Sequence, residues 1–308
     1  MKSPIKLQGT YTALVTPFKN GVVDYEGFRK NIHFQLKEGI NGLLVLGTTG
    51  ETPTLTPQEK EELICITLKE VNGRVPVMVG AGSNSTEHTI AESKKAKEFG
   101  ADMVLIVTPY YNKPTQEGIF RHFKAVTDNV DIPIVVYNIQ GRTGMNIETA
   151  TLKRIAELPT IIGVKEASGN VDQMGAVYQS IVAQQQITPQ QNKHLQNFTL
   201  MSGDDALTLP CMSLGGQGVI SVVSNLVPRP VVALVNAALE GDFAKAREIH
   251  YELLPLFKGA FIETNPIPIK AAMNMVGLAA GDYRLPMCEM QPENKEKLRK
   301  VLVEMKLL

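Results

Sequence analysis

"ADMVLIVTPYYNKPTQEGIFRHFKAVTDNVDIPIVVYN", residues 101–138, contains one complete strand–helix–strand unit. "ADMVLIVTP" (101–109) and "IPIVVYN" (132–138) are short runs rich in Val, Ile and Leu, without polar alternation. Such runs fit parallel strands covered on both faces. "TQEGIFRHFKAVTDNV" between them has a helical pattern. Parallel strands joined through a helix make a right-handed crossover.

The same unit recurs on both sides of this stretch. Further strand candidates are "YTALVTPF" (11–18), "GLLVLG" (42–47), "VPVMVGAG" (75–82), "IIGVKEA" (161–167), "FTLMSGDD" (198–205) and "GVISVVSN" (218–225). Helical patterns intervene. "YEGFRKNIHFQLKEG" places Phe28, Ile32 and Leu36 on one face, with Gly39 just past the end. "TPQEKEELICITLKEV" opens with Thr56 as N-cap, Pro57 at the first helical position and Glu59 completing a capping box. Asn146 is the expected cap of "NIETATLKRIAEL". Eight strand candidates, spaced by about 25 to 30 residues, point to a closed (β/α)8 TIM barrel rather than an open doubly wound sheet. No GxGxxG or GxxxxGK[ST] motif argues for a nucleotide fold.

Two departures from the repeat are visible. "AQQQITPQQNKHLQN" (183–197) is polar and glutamine-rich, and reads as a surface insertion before the seventh strand. From about residue 228 there are helical stretches and no further strand. Residues 1–227 are therefore expected to carry the barrel strands and the active site, and 228–308 the eighth barrel helix and a small C-terminal helical extension.

The bulk properties exclude several classes. Hydrophobic residues make up 44% of the 308-residue chain and charged residues 20%, enough for a large core. The formal net charge is zero, so no basic excess points to nucleic acid or to an anionic membrane. Cys65, Cys211 and Cys288 are widely spaced and lack metal-ligand spacing, which suits free thiols in a reducing compartment. "MKSPIKLQGTY" has no apolar h-region, and no apolar run approaches the roughly 18 residues of a membrane span. A soluble cytoplasmic protein is expected.

Functional groups of a (β/α)8 barrel gather at the C-terminal ends of its strands. Strand two ends in "GTTGE" (47–51), whose hydroxyls and amides can hold a small carboxylate or simply form a turn. Strand four ends in Tyr110 and Tyr111, residues equally at home in packing. Strand five ends in Tyr137, a candidate proton relay, followed by Arg142, a planar fork suited to a carboxylate or to a surface ion pair. Strand six carries Lys165 after an apolar run. A lysine there is either an ordinary strand-end cation paired with a carboxylate such as Glu166, or a Schiff-base nucleophile. An unperturbed lysine has a pKa of about 10.4, and burial is the usual means of freeing its lone pair. Lysine, tyrosine, paired threonines and arginine at the strand ends together describe imine chemistry on an α-keto acid.

In order, "TALVTPF", "GTTGE", "GAGSNST", "TPYYNKP", "YNIQGRTG", "GVKEASGN", "SGDDALTLP", "GGQGVISV", "NPIPIK" and "YRLP" span nearly the whole chain. In this series the chain resembles the dihydrodipicolinate synthase family, among the pyruvate-dependent class I aldolases that include N-acetylneuraminate lyase. "GTTGE", the arginine of "GRTG" and the "KEA" favour the synthase branch. A sugar-acid aldolase of the same superfamily is the alternative.

The resemblance implies that Lys165 forms an imine with pyruvate and that Tyr137, Thr48 and Tyr111 form a proton relay. In the family the Tyr111-type residue reaches a neighbouring subunit's site. Thr49 and the Ile220 carbonyl would contact pyruvate, and Arg142 would bind the carboxylate of L-aspartate 4-semialdehyde. No cofactor and no metal are implied, and a homotetramer is the usual assembly. Gln140 replaces the family's usual proline, so a slightly different Arg142 loop is expected. Some members bind L-lysine through an Asn, an acidic residue one turn later, and the first tyrosine of the pair. Asn84 and Tyr110 match, whereas His88 stands at the acidic position beside Glu87. Pro57 and Lys60 replace two histidines found near that pocket, and a cationic Lys60 disfavours a cationic ligand. Weak or absent lysine inhibition is expected.

Overall fold

The structure, a computed structural model, describes residues 6–184 and 198–308. Its main strands are β1 (Gly9–Ala13), β2 (Gly42–Val45), β3 (Val77–Gly80), β4 (Met103–Val107), β5 (Ile134–Asn138), β6 (Ile161–Glu166), β7 (Thr199–Ser202) and β8 (Gly218–Ser221). They are hydrogen-bonded in the cyclic order β1-β8-β7-β6-β5-β4-β3-β2, a closed parallel barrel. β1, β2, β5 and β8 are buried along their whole length. That is why these segments read as continuous apolar runs.

The strands are shorter than the sequence suggests. β8 stops at Ser221, where Val223–Asn225 tighten into a 3₁₀ turn. "YTALVTPF" leaves the sheet after Ala13, and Phe18–Lys19 pair antiparallel with Val22–Val23 in a small ribbon. Strands of two residues are too short to have a readable period.

The helices are α1 (Tyr25–Lys37), α2 (Pro57–Val71), α3 (Thr86–Phe99), α4 (Gln116–Asn129), α5 (Thr149–Ala156), α6 (Val171–Val177), α7 (Thr208–Ser213) and α8 (Pro228–Leu239). α9 (Phe243–Gly259), α10 (Ile267–Met275) and α11 (Pro292–Glu304) form the expected helical extension. Side-chain caps begin α1 to α4: Asp24, Thr56 with its reciprocal Glu59, Ser85 and Thr115 each accept a backbone N–H of the first turn. Asn146 does not cap α5. The N-cap there is Glu148, without a side-chain bond. The proposed insertion at 183–197 lies, from residue 185 on, outside the described residues.

The chain divides into two compact units. One comprises the residues up to Gly9 and Met78–Val219, with β4–β7 and α3–α7; its core includes Val104, Phe123, Val135, Val164 and Leu200. The other comprises Thr10–Val77 and Ile220–Leu308, with Tyr11, Phe28, Leu43, Leu63 and Phe257 fully buried or nearly so. Among the described residues no helix is long and apolar enough to cross a membrane. Cys65, Cys211 and Cys288 are free thiols.

Candidate active site

Tyr137 and Lys165 are register partners on the adjacent parallel strands β5 and β6. Side chains alternate along a strand, so paired positions share a face. Lys165 Nζ lies 4.1 Å from the centroid of the Tyr137 ring. Both side chains are buried, at 5% and 6% exposure. The next residues, Asn138 and Glu166, are paired in register as well and face the other way. Asn138 Nδ2 donates to both carboxylate oxygens of Glu166, at 3.2 and 3.0 Å. Glu166 is therefore not the partner of Lys165. The strand's period of two separates the neighbours.

Gly203, just beyond β7, leaves room for the lysine. A Cβ there would stand 2.9 Å from Lys165 Cγ, 3.0 Å from its Cε and 2.7 Å from Ala167 Cβ. No side chain fits at those distances without moving the lysine stem.

Arg142 is exposed, on a one-turn helix, Gln140–Thr143, that follows β5. Gly144 ends the turn in the left-handed region, and its N–H donates to the Gln140 carbonyl at 2.9 Å. Gln140 is the first helical residue. A backbone N–H has no intrahelical acceptor at that position, so proline and glutamine both fit. The departure at Gln140 therefore does not require a different loop.

Tyr111 is 88% exposed and has φ of +71°, a left-handed conformation rare for an aromatic residue. It makes no part of the buried Tyr137–Lys165 pair. Tyr110 is 39% exposed. The Asn84 carbonyl accepts from Asn112 Nδ2 at 2.9 Å, tying this segment to the start of α3, where His88 is exposed.

In the other unit, β2 runs into a 3₁₀ turn, Thr48–Gly50, flanked by Leu46 (φ +58°) and Glu51 (φ +52°), both left-handed. Thr48 is half-buried and Thr49 buried. Thr49 Oγ1 accepts from Asn265 Nδ2 at 3.0 Å. The Gly50 carbonyl accepts from Thr16 Oγ1 at 2.7 Å. Beneath the turn, Glu51 Oε1 meets Lys270 Nζ at 2.5 Å, with both side chains essentially inaccessible. Lys270 also donates to the carbonyls of Thr16 and Asp282. Burial pushes the Lys270 ammonium below the usual lysine range, and the Glu51 charge opposes that shift. Glu51 Oε2 accepts from the Arg284 N–H, while the Arg284 guanidinium grips Glu59 through two bonds, at 2.7 and 2.6 Å. Ile220 lies in β8 with no exposed surface.

Glu51, Lys270, Asn265 and Gly203 are not among the residues expected from the sequence. Lys270 carried the same signal as Lys165, a cation inside an apolar run ("NPIPIKAAMNM") that needs a partner.

A profile of the Dihydrodipicolinate synthetase family matches residues 6–305. The chain belongs to the dihydrodipicolinate synthetase family. It is 55% identical over 300 residues to the 4-hydroxy-tetrahydrodipicolinate synthase of Protochlamydia amoebophila, covering 97% of each chain. To that of Methanocaldococcus jannaschii it is 49% identical, covering 98% and 99%. The dihydrodipicolinate synthase structure of Thermotoga maritima superposes with a TM-score of 0.92 at 45% identity, covering 98% and 99%. A monomeric dihydrodipicolinate synthase variant matches equally well, with a TM-score of 0.92 at 45% identity, covering 98% and 97%. The matched range includes "NPIPIK" and "YRLP". These supply Asn265, Lys270 and Arg284, the groups around the threonine turn.

Proposed function

We propose that the chain is a 4-hydroxy-tetrahydrodipicolinate synthase, a lyase of class I aldolase type in diaminopimelate and lysine synthesis. The observation that carries the proposal is the buried Lys165 amine 4.1 Å from the Tyr137 ring, in a chain that the family profile matches over residues 6–305. The neutral amine attacks the pyruvate ketone, water leaves, and an imine forms. Loss of a proton from the pyruvate methyl group gives the enamine, which adds to the aldehyde carbon of L-aspartate 4-semialdehyde. The substrate's amino group then attacks the imine carbon, and as the ring closes the bond to Lys165 Nζ breaks and the lysine leaves as the free amine. The imine nitrogen is the electron sink, so no metal or organic cofactor is invoked.

Tyr137, Thr48 and Tyr111 relay protons in this scheme. Thr49 and the Ile220 carbonyl hold pyruvate, and Arg142 takes the carboxylate of the second substrate. The exposure of Tyr111 supports a role toward a neighbouring subunit in a homotetramer. The setting proposed is cytoplasmic.

Borohydride reduction in the presence of pyruvate should add one pyruvyl group at Lys165, and Lys165→Ala should add none. Absence of the adduct in the unmodified protein would remove the imine mechanism. With pyruvate fixed, turnover on L-aspartate 4-semialdehyde should exceed that on sugar-acid aldehydes. The reverse preference would assign the chain to the sugar-acid aldolases.

A further inference from the structure

Glu166 is a fully buried carboxylate held by uncharged donors. Ser168 N–H donates at 2.8 Å, Asn138 Nδ2 at 3.2 and 3.0 Å, and Gln173 Nε2 at 3.2 Å. A carboxylate so placed costs free energy unless its oxygens are well bonded. Here the bonds converge on one loop. Asn138 Oδ1 accepts from the Ile147 N–H at 3.0 Å, so a single side chain pins the two ends of segment 139–146 together. Asn138 Nδ2 also donates to Asn146 Oδ1 at 2.8 Å. Asn146 Nδ2 donates to Gln173 Oε1 at 2.8 Å, and Gln173 Nε2 donates to the Ile147 carbonyl at 3.2 Å. Gln116, from α4, clasps the same stretch by donating to the Asn146 carbonyl and accepting from the Glu148 N–H. Arg142 stands on the turn inside this clasped segment.

The geometry points to Glu166 as a positioning residue. Its carboxylate, through Asn138, Asn146 and Gln173, holds the Arg142 loop in fixed register with the strand end that carries Lys165. The network thereby sets selectivity for an aldehyde that bears its own carboxylate. It touches no reacting atom. It lies on the face of β5 and β6 opposite Tyr137 and Lys165, so the two tasks are separable: Lys165 takes pyruvate, and the network places the group for the second substrate. The inference rests on the role proposed above for Arg142.

The test uses Glu166→Gln, which keeps the shape but turns one acceptor into a donor facing Asn138 Nδ2 and either Ser168 N–H or Gln173 Nε2. Asn146→Ala is the second variant, at a half-buried position. Each is compared with the unaltered protein in three measurements. These are the pyruvate concentration giving half-maximal borohydride trapping, kcat/KM for L-aspartate 4-semialdehyde, and kcat/KM for butanal as an uncharged aldehyde. A loop displaced by even about 1 Å costs one to two orders of magnitude in a positioned reaction. Trapping should stay within about twofold while kcat/KM for the acidic aldehyde falls about tenfold or more, carried mainly by KM. The preference over butanal should collapse by the same factor. Equal losses in trapping and in both aldehyde reactions would reduce the network to a fold support and overturn the inference. Unchanged preference in both variants would overturn it as well. Failure of the unaltered protein to trap pyruvate would instead remove the imine mechanism itself.

Discussion

Replacing Lys270 with methionine tests whether the turn that carries Thr48 and Thr49 rests on a buried ion pair. Lys270 Nζ has three protons and three acceptors: Glu51 Oε1 at 2.5 Å, the Thr16 carbonyl at 3.1 Å and the Asp282 carbonyl at 2.5 Å. Methionine fills most of the volume but removes all three bonds and leaves the Glu51 carboxylate buried without its cation. Breaking such a pair from one side costs about 3–5 kcal/mol. At about 2 °C per kcal/mol for a chain of this size, Tm should fall by roughly 6–10 °C. The double variant Lys270→Met/Glu51→Gln removes the unpaired charge and should recover about 2 kcal/mol of that loss. Urea midpoints and thermal scans of the single and double variants give both numbers. A loss below about 1 kcal/mol for Lys270→Met would refute the reasoning. So would a double variant no more stable than the single one, because the penalty would then not come from the stranded carboxylate.

Three further outcomes follow from other sites. His122 is buried with Nδ1 bonded to Thr86 Oγ1 at 2.9 Å, and burial pulls its pKa from 6.5 to about 4. Its neutral form contributes stability that is complete above pH 6.5 and lost as pH falls through about 4, a change of about 3 kcal/mol. Urea midpoints of His122→Gln should therefore vary less between pH 7 and 4 than those of the unaltered protein, and equal slopes would refute this. Gly203→Ala should lower pyruvate trapping at Lys165 about tenfold or more, because the new methyl group displaces the lysine stem; undiminished trapping would mean that the stem has slack. Finally, on the expectation drawn from His88 and Lys60, sub-millimolar L-lysine should inhibit turnover weakly or not at all; half-inhibition in that range would refute it.

The barrel was legible because parallel strands covered on both faces cannot alternate, and because helices announce themselves through caps such as Thr56–Glu59. The Lys165–Tyr137 pair was legible from one positional rule, that barrel chemistry sits at strand ends. What stayed hidden was pairing over distance. Glu51 and Lys270 are 219 positions apart, and Thr49 and Asn265 are 216 apart. Each member looked ordinary alone. Asn146 is a hub and not the expected cap for a related reason: both roles use the same amide, and only the positions of Asn138 and Gln173 decide between them. The exclusion of Glu166 as the partner of Lys165 was within reach of the strand's period, once the strand was known to continue through both residues.

That adjacency of Lys165 and Glu166 has a consequence for how such a chain can vary. One short strand end spells two separate instructions in alternate letters, the amine on one face and the carboxylate network on the other. Losing or gaining a single residue there would exchange the two, turning the amine toward Gln173 and the carboxylate toward Tyr137. Substitution can tune either instruction separately, but a change of length corrupts both at once. Inherited insertions should therefore gather in the connections and spare the last residues of β5 and β6.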